Sequence, residues 1–302
     1  MELGSRFVGT PLKDLVTQAN WRRTMNYAAA VGDANPRYFD DDRPGGIIAP
    51  PLFAVALTWA VIEKIWEHIQ DKDFPFDVLA TMVHYREHLH FHRPVNPGDT
   101  LTLKGTIAAI LPHRAGTQVV LRFDAVDAGA NPVFTEHMAA LLRGVTCTDN
   151  GAGQANLPWT PAVPDKGPSL WDVPVAIDSL LPFVYDGCTD IVFPIHTSTR
   201  FARQVGLPGI IVQGTATLAL AAKEIVNREA GADPTRLKAL SCRFSGMVMP
   251  ATTIRVALVA RQNQPGQTEL HFAVFNGQGQ KAISDGIAVI SDWPAKSVNQ
   301  TG

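Results

Sequence analysis

The sequence lacks the features that mark several large classes of protein. Only 3 of its 302 residues are cysteine and they form no CxxC motif, so we expect neither a disulfide framework nor a zinc ribbon. The formal net charge is −2, which provides no basic surface for nucleic acid or an anionic membrane. No apolar run approaches the roughly 18 residues of a membrane span, and the N-terminus does not resemble a secretory signal. These absences predict a cytoplasmic protein without membrane or nucleic-acid partners.

Motifs for nucleotide binding and for serine hydrolases are also missing. No GxGxxG or GxxxxGK[ST] pattern lies in a suitable setting, so no nucleotide cofactor is expected. The absence of GxSxG argues against an α/β-hydrolase. What the chain does have is 46% hydrophobic residues, enough for a large core in one or two domains.

The clearest positive feature is an internal duplication. Gly45–Ile65 reads GGIIAPPLFAVALTWAVIEKI, and Pro208–Val226 reads PGIIVQGTATLALAAKEIV. Phe91–Leu101 (FHRPVNPGDTL) and Phe244–Ile254 (FSGMVMPATTI) share Phe, Val, Pro and Thr at identical spacing. A repeat of about 155 residues is far longer than a solenoid unit, so the pattern indicates a duplicated domain.

Each copy combines one long apolar helical segment with runs of alternating polar and apolar residues that are typical of strands. We therefore predict an α+β fold in which two antiparallel sheets of about five strands are each wrapped around a long central helix. A Gly-, Pro- and Asn-rich stretch separates the copies. The predicted organisation is a first half at 1–148, a linker at 149–178 and a second half at 179–302.

The repeated segments resemble those of MaoC-like acyl-thioester dehydratases, which are double-hotdog proteins related to the (R)-specific, type 2 enoyl-CoA hydratases. In the first half the resemblance rests on Gly32–Asp41 (GDANPRYFDD), Ala49–Phe53 and Arg93–Leu101. In the second half it rests on three further segments: Phe193–Ser198 (FPIHTS), Gly206–Ala221 and Arg243–Pro250. The resemblance extends over roughly residues 5–292 and implies a double hotdog whose second half is catalytic.

The family signature, Gly-Asp-x-Asn-Pro-x-His, is divided between the two halves. The first half has the Gly, Asp, Asn and Pro in register, but Tyr38 stands at the histidine position. The second half has Pro194 and His196 in register, but Phe193 replaces the Asn and Ile191 stands at the aspartate position. The nearest carboxylate, Asp190, comes one residue too early. The first half is therefore expected to serve as scaffold and substrate-tunnel wall.

The resemblance implies a catalytic set of His196, Asp190 and Gly214. A neutral imidazole can activate water and return a proton to carbon, and a carboxylate can hold the water and set the imidazole tautomer. Backbone N–H groups at a helix start can bind the developing oxyanion. Gly214 allows a close approach there, whereas its counterpart Pro51 has no N–H to donate. Alternatively, His196 could be a turn residue bonded to backbone, and Asp190 could cap a turn.

Other residues near these segments are predicted to bind substrate. Arginines can pair with the phosphates of coenzyme A, although they are also common on surfaces. Asp33 and Asn35 could instead form an Asx-turn that frames their loop. The predicted substrate-binding residues are Gln213, Arg200, Arg203, Arg243, Asp33 and Asn35.

A row of histidines offers an alternative site. His84, His88, His90 and His92 fall on one face of a strand if the strand is regular, and HxH patterns can bind zinc. Arg86 interrupts the row and no Cys or carboxylate completes an obvious tetrahedral set, so we expect a polar, solvent-facing strand and no metal. No cofactor is expected beyond the coenzyme A carried by the substrate.

The resemblance implies a hydro-lyase that interconverts 2-enoyl and 3-hydroxyacyl thioesters. Two alternatives stay open: a hotdog acyl-CoA thioesterase, and a non-catalytic acyl-thioester-binding subunit of a heteromeric dehydratase. The expected partner is an acyl-CoA or an acyl-carrier-protein thioester. Because two fused hotdogs already satisfy the usual pairing of this fold, a monomer, a homodimer and a heteromer are all compatible with the sequence.

Overall fold

A computed structural model of the chain describes residues 1–158 and 168–292, and it contains two similar halves. The first half consists of β1 (Glu2–Leu3), β2 (Leu15–Gln18), α1 (Trp21–Ala30), α2 (Phe53–Ile62), α3 (Ile65–His68), β3 (Met82–Phe91), β4 (Thr100–His113), β5 (Gly116–Val126), β6 (Pro132–Arg143) and β7 (Thr146–Cys147). The second half consists of β8 (Trp171–Ile177), α4 (Leu181–Thr189), α5 (Thr199–Gln204), α6 (Gly214–Glu229), β9 (Leu237–Phe244), β10 (Thr252–Gln264), β11 (Gln267–Phe275) and β12 (Lys281–Ser291).

Each half contributes five strands to its own antiparallel sheet, as predicted. The sheets are joined edge to edge by β3 and β9, so that one ten-stranded sheet runs in the order β2-β4-β5-β6-β3-β9-β12-β11-β10-β8. The helix α2 lies against the first half-sheet and α6 against the second, because the apolar residues of both helices are mostly buried, whereas the polar end of α6 (Asn227–Glu229) is not. The predicted α+β double hotdog is therefore confirmed, with its two sheets continuous across the junction.

An approximate two-fold axis relates the halves and passes close to the His88–Ser241 pair at the centre of the junction. On one side of that pair Arg86 lies opposite Arg243, and at the symmetry-related place on the other side His90 lies opposite Ala239. The loops obey the same symmetry. The N–H of Ile48 donates to the carbonyl of Arg37 at 2.9 Å, and the N–H of Ile211 donates to the carbonyl of Ile195 at 3.3 Å. Residues of one half can thus be compared with their counterparts in the other.

The predicted linker at 149–178 is too long at its C-terminal end. Trp171–Ile177 form the strand β8, which pairs with β10 along its whole length, because alternate residues of this segment turn towards the second core. Residues 159–167 of the predicted linker lie outside the described residues. Among the described residues, no helix is long and apolar enough to cross a membrane.

One hydrophobic core extends across both halves. Tyr27 and Phe53 from the first half pack in the same cluster as Tyr185 and Leu218 from the second. The hydroxyls of Tyr27 and Tyr185 are hydrogen-bonded to one another at 2.8 Å inside it. The shared core fixes the start of α6 relative to strand β3, which decides which residues can meet at the candidate site.

Candidate active site

His196 lies in the loop between α4 and α5, held close to the segment that leads into α6. Its Nδ1 is 2.8 Å from the carbonyl oxygen of Ile211. A carbonyl can only accept, so Nδ1 carries the proton and Nε2 keeps its lone pair. Burial lowers the pKa of His196 to about 4, partly opposed by the same carbonyl. At neutral pH the ring is therefore uncharged, and it presents one basic nitrogen.

Asp190 is not brought to His196. It is the residue that ends α4, with a left-handed φ of 59°, and it occupies the place that Gly32 (φ 58°) holds after α1. Aspartate is one of the few residues besides glycine that adopts this conformation readily. Its carboxylate lies 3.2 Å from the guanidinium of Arg23, and the side chain is 68% exposed. The predicted Asp190–His196 pair is thus corrected to an Asp190–Arg23 pair.

Gly214 is the first residue of α6, as predicted. A Cβ on this residue would lie only 3.0 Å from Cδ1 of Phe244, so the aromatic ring fits against the helix start because glycine is there. The preceding Gln213 is buried. Its Nε2 donates to the carbonyl of Pro182 at 2.9 Å, whereas its Oε1 has no hydrogen-bond partner. The first turn of α6 therefore combines unpaired backbone N–H groups with an unpartnered amide oxygen.

The three predicted arginines lie in two different places. Arg200 and Arg203 are exposed on α5, close in sequence to His196 and free to meet an anion at the surface. Arg243 lies on β9 at the junction of the sheets, where its Nε donates to Asp285 at 2.8 Å. This contact raises the pKa of Arg243, and the carboxylate already occupies part of the guanidinium. Arg200 and Arg203 therefore suit a phosphate better than Arg243.

Asp33 and Asn35 lie in the first-half loop and form an Asx-turn. Asp33 Oδ1 accepts from the Asn35 N–H at 3.2 Å, and Asn35 Oδ1 accepts from the Arg37 N–H at 2.9 Å. Asn35 Nδ2 donates to the carbonyl of Ala232 across the halves at 2.8 Å. Burial raises the pKa of Asp33. These contacts occupy the polar atoms of Asn35, so the loop serves first to join the two halves.

The row of histidines on β3 is not regular. A bulge between His84 and Arg86 turns His84 to the inner side of the sheet, whereas His88 and His90 lie on the outer side. The imidazole of His84 packs edge-on against Phe244, with ring centroids 4.6 Å apart. Among the described residues, no group of three or more His, Cys, Asp or Glu side chains is placed to hold a metal ion. The prediction of one solvent-facing row was wrong for His84, and it holds only in part for His88, whose half-buried ring lies 6.1 Å from that of His137.

Sequence reasoning missed two buried acids. Glu87 on β3 and Glu136 on β6 are both 0% exposed, and they lie on the same side of adjacent strands, because Glu136 is opposite Leu89 in the ladder. Burial raises the pKa of both groups and therefore favours their protonated forms. Glu87 Oε2 lies 3.0 Å from Nε2 of His84. The sequence signal that could have revealed them was the position of Glu87. It lies two residues before Leu89, which is buried, so both side chains point to the inner side of the strand.

Comparison with known families supports the assignment of both halves. A model described as "MaoC like domain" matches residues 184–280, and one described as "FAS1-like, dehydratase domain region" matches residues 4–135. The chain is 26% identical over 208 residues to "3-hydroxyacyl-thioester dehydratase Y" of Mycobacterium tuberculosis, covering 67% of this chain and 69% of that protein. It is 24% identical over 251 residues to "Enoyl-CoA hydratase 2, peroxisomal" of Arabidopsis thaliana, covering 78% and 80%.

A solved structure agrees with the architecture over almost the whole chain. The MaoC-like dehydratase from Phytophthora capsici superposes with a TM-score of 0.82 and 21% sequence identity, covering 96% of this chain and 99% of that one. At this level of identity the likeness establishes the fold, and the chemistry must be argued from the residues of the site.

Proposed function

Because this chain belongs to the MaoC-like acyl-thioester dehydratases, we propose that it is a hydro-lyase that interconverts 2-enoyl and 3-hydroxyacyl thioesters at its second-half site. The observation that carries the proposal is the state of His196. Its proton is fixed on Nδ1 by the Ile211 carbonyl, so Nε2 is the free base of a neutral imidazole. A base of this kind, close to a glycine-led helix start, suits addition of water next to a thioester.

In the hydration direction, His196 Nε2 takes a proton from water as the water oxygen bonds to C3. The C2–C3 π electrons move towards the thioester carbonyl, whose oxygen becomes enolate-like. The N–H groups of the first turn of α6, beginning at Gly214, stabilise that oxygen because they are unpaired and lie at the positive end of the helix dipole. The imidazolium then returns its proton to C2, so one water is added and no cofactor is consumed.

The substrate is an acyl thioester, and Arg200 and Arg203 are the residues that we propose to meet the phosphates of a coenzyme A portion. Both are exposed on the helix that follows the His196 loop. Gln213 would line the thioester end. A cytoplasmic location and a homodimeric or heteromeric assembly stay predictions, which size-exclusion chromatography with light scattering can test for the assembly.

Incubating the pure protein with crotonyl-CoA tests the proposal. Enoyl absorbance and free thiol are followed together, and His196→Ala is compared with the wild type. We expect loss of absorbance without thiol release, and a rate about 10²–10⁴ lower in the variant because general acid/base catalysis is lost. Thiol release would instead indicate a thioesterase. A His196→Ala rate within a few-fold of wild type would overturn the role given to this residue.

One observation favours a second candidate, the non-catalytic binding subunit. The aspartate and asparagine positions of the second-half signature hold Ile191 and Phe193, and Asp190 is paired with Arg23. If the protein binds butyryl-CoA but changes neither the enoyl bond nor the thioester of crotonyl-CoA, this second candidate is the correct one.

A further inference from the structure

The second-half site has a wall that comes from the first half. The His84 ring on β3 packs against Phe244, and Cδ1 of Phe244 lies 3.0 Å from the position of a Cβ on Gly214. A continuous set of contacts therefore connects an imidazole of the first half to the first turn of α6. The His84 side chain is 17% exposed, so it is enclosed but still reaches open space.

The approximate two-fold symmetry indicates what that open space is. Around the symmetry axis, β3 and β9 are antiparallel, and His84 corresponds to Leu237. Leu237 lines a hollow at the first-half site, together with Pro51 and Phe91. Pro51 corresponds to Gly214 of the second half, and Phe91 corresponds to Phe244. By the same relation, His84 faces the equivalent space beside the oxyanion-binding turn of the second half. The two halves differ there by an imidazole in place of a leucine.

The polar atoms at this place are incompletely satisfied. Nε2 of His84 is buried and lies 3.0 Å from Oε2 of Glu87, but without the alignment of a complete hydrogen bond. Gln213 Oε1, at the neighbouring helix start, is buried with no partner. A buried polar atom without a partner costs about 1–3 kcal/mol, and catalytic hydrogen bonds often align only when substrate is bound. The arrangement is therefore one that a polar ligand would complete.

Glu87 determines how His84 can act. Burial raises the pKa of Glu87 and so favours its neutral form, whose O–H can donate to Nε2 of His84 across the 3.0 Å that separates them. The ring of His84 is also neutral, since burial lowers its pKa to about 4 despite a contact with the Arg86 backbone. With Nε2 accepting, the proton of the imidazole stays on Nδ1, and the ring can donate to a ligand.

We propose that His84, held by Glu87, is a further residue of the second-half site and donates a hydrogen bond to the thioester oxygen of the bound substrate. This inference rests on the proposed function. It accounts for the apolar Ile191 and Phe193 and for the diversion of Asp190 to Arg23, because a histidine of the first half supplies a polar group that the second half does not have. No bond to His84 forms or breaks, since it only donates to an oxygen that gains negative charge.

The test compares variants that copy the second half. His84→Leu and Glu87→Leu introduce the residues found at the symmetry-related positions, Leu237 and Leu240, so both should fold. We expect kcat with crotonyl-CoA to fall about 10²–10³-fold in His84→Leu with little change in KM, the effect of losing one oxyanion donor. In Glu87→Leu, kcat should fall by much of the same factor. Glu87→Gln should recover most of it, because an amide N–H can also donate to Nε2.

A matched control is His90→Leu, on the outer side of the same strand, which should keep the wild-type rate and melting temperature. A binding measurement separates this inference from the proposed function. The enolate of acetoacetyl-CoA carries the oxyanion and butyryl-CoA does not, so His84→Leu should weaken binding of the first much more than the second.

If the wild type binds the enolate but never hydrates crotonyl-CoA, the proposed function fails. The binding of acetoacetyl-CoA to His84→Leu still tests the hydrogen bond that we propose for His84. A His84→Leu protein that matches His90→Leu in both rate and acetoacetyl-CoA affinity overturns the inference. The inference is also overturned if the hydration rate of Glu87→Gln is as low as that of Glu87→Leu. It is overturned as well if the wild type binds neither acetoacetyl-CoA nor butyryl-CoA.

Discussion

At the scale of single residues, the environment of His196 predicts how the reaction rate depends on pH. Its pKa is lowered to about 4 by burial, so the basic form persists well below neutrality and is lost only as pH falls through that value. We expect kcat/KM for crotonyl-CoA to be flat from pH 8 to about 5 and to fall below that, with circular dichroism confirming that the protein stays folded. A fall centred near 6.5, the ordinary value for histidine, would contradict the environment described for this ring.

The burial of Glu136 predicts how the stability of the protein depends on pH. Its folded-state pKa lies above the ordinary value of 4.5, so its contribution to stability is fully present below about pH 4.5 and is lost as pH rises through the folded pKa. Glu136→Gln carries no charge at any pH. We therefore expect its melting temperature to exceed that of the wild type by a margin that widens between pH 5 and pH 8.

The exposed Glu67 provides the control for that experiment, because Glu67→Gln should leave the melting temperature unchanged. A constant or shrinking margin between Glu136→Gln and the wild type would show that the acid is not held protonated. The same experiment bears on Glu87, because the charge of Glu87 also raises the pKa of Glu136.

At the scale of the element, the start of α6 depends on the contact between Gly214 and Phe244. Gly214→Ala places a methyl group about 3 Å from the ring, which must shift, and overpacking of this kind costs about 1–3 kcal/mol. Because the displaced ring also contacts His84, we expect the hydration rate to fall with the melting temperature. The measurement is thermal unfolding together with the crotonyl-CoA assay.

Gly209→Ala is the matched control, since a Cβ at Gly209 would meet nothing within 4 Å. It should leave both the rate and the melting temperature close to those of the wild type. Equal behaviour of the two variants would mean that the close approach at Gly214 is unimportant for the helix start.

Strands and helices show what could be predicted from sequence. The duplication and the central helices followed from the hydrophobic period, which acts locally. The bulge that reverses His84 could not be predicted, because it breaks the period of two on which the histidine row was read. Asp190 was misplaced for a related reason: its left-handed conformation shows that it replaces the glycine of the signature and not the aspartate.

At the scale of the whole molecule, Asp285 links the two halves. Its carboxylate lies 3.2 Å from Arg86 and 2.8 Å from Arg243, so it joins β12 to both strands of the junction. Hydrogen bonds to charged groups contribute about 1.5–3 kcal/mol, and we expect Asp285→Asn to lower the free energy of unfolding by about that amount. Asparagine tolerates the left-handed φ of 54° at this position, so the change isolates the charge.

Asp172→Asn is the corresponding control, because Asp172 pairs with Arg255 on an exposed surface where such a bridge contributes at most about 1 kcal/mol. Denaturant unfolding followed by fluorescence and by circular dichroism measures both variants. Since one core extends across the halves, we expect a single coincident transition. Separate transitions for the two halves would contradict the shared core.

The pairing of β3 with β9 also determines which strand edges the molecule exposes. In the described sheet the outermost strands are β2, only four residues long, and β8, which carries Pro174 in its middle. Short strands and prolines are the features that discourage edge-to-edge association. A molecule opened at the junction would instead present β3 and β9, which are ten and eight residues long and contain no proline. Substitutions that loosen the junction should therefore appear first as aggregation, before any loss of the individual half-sheets.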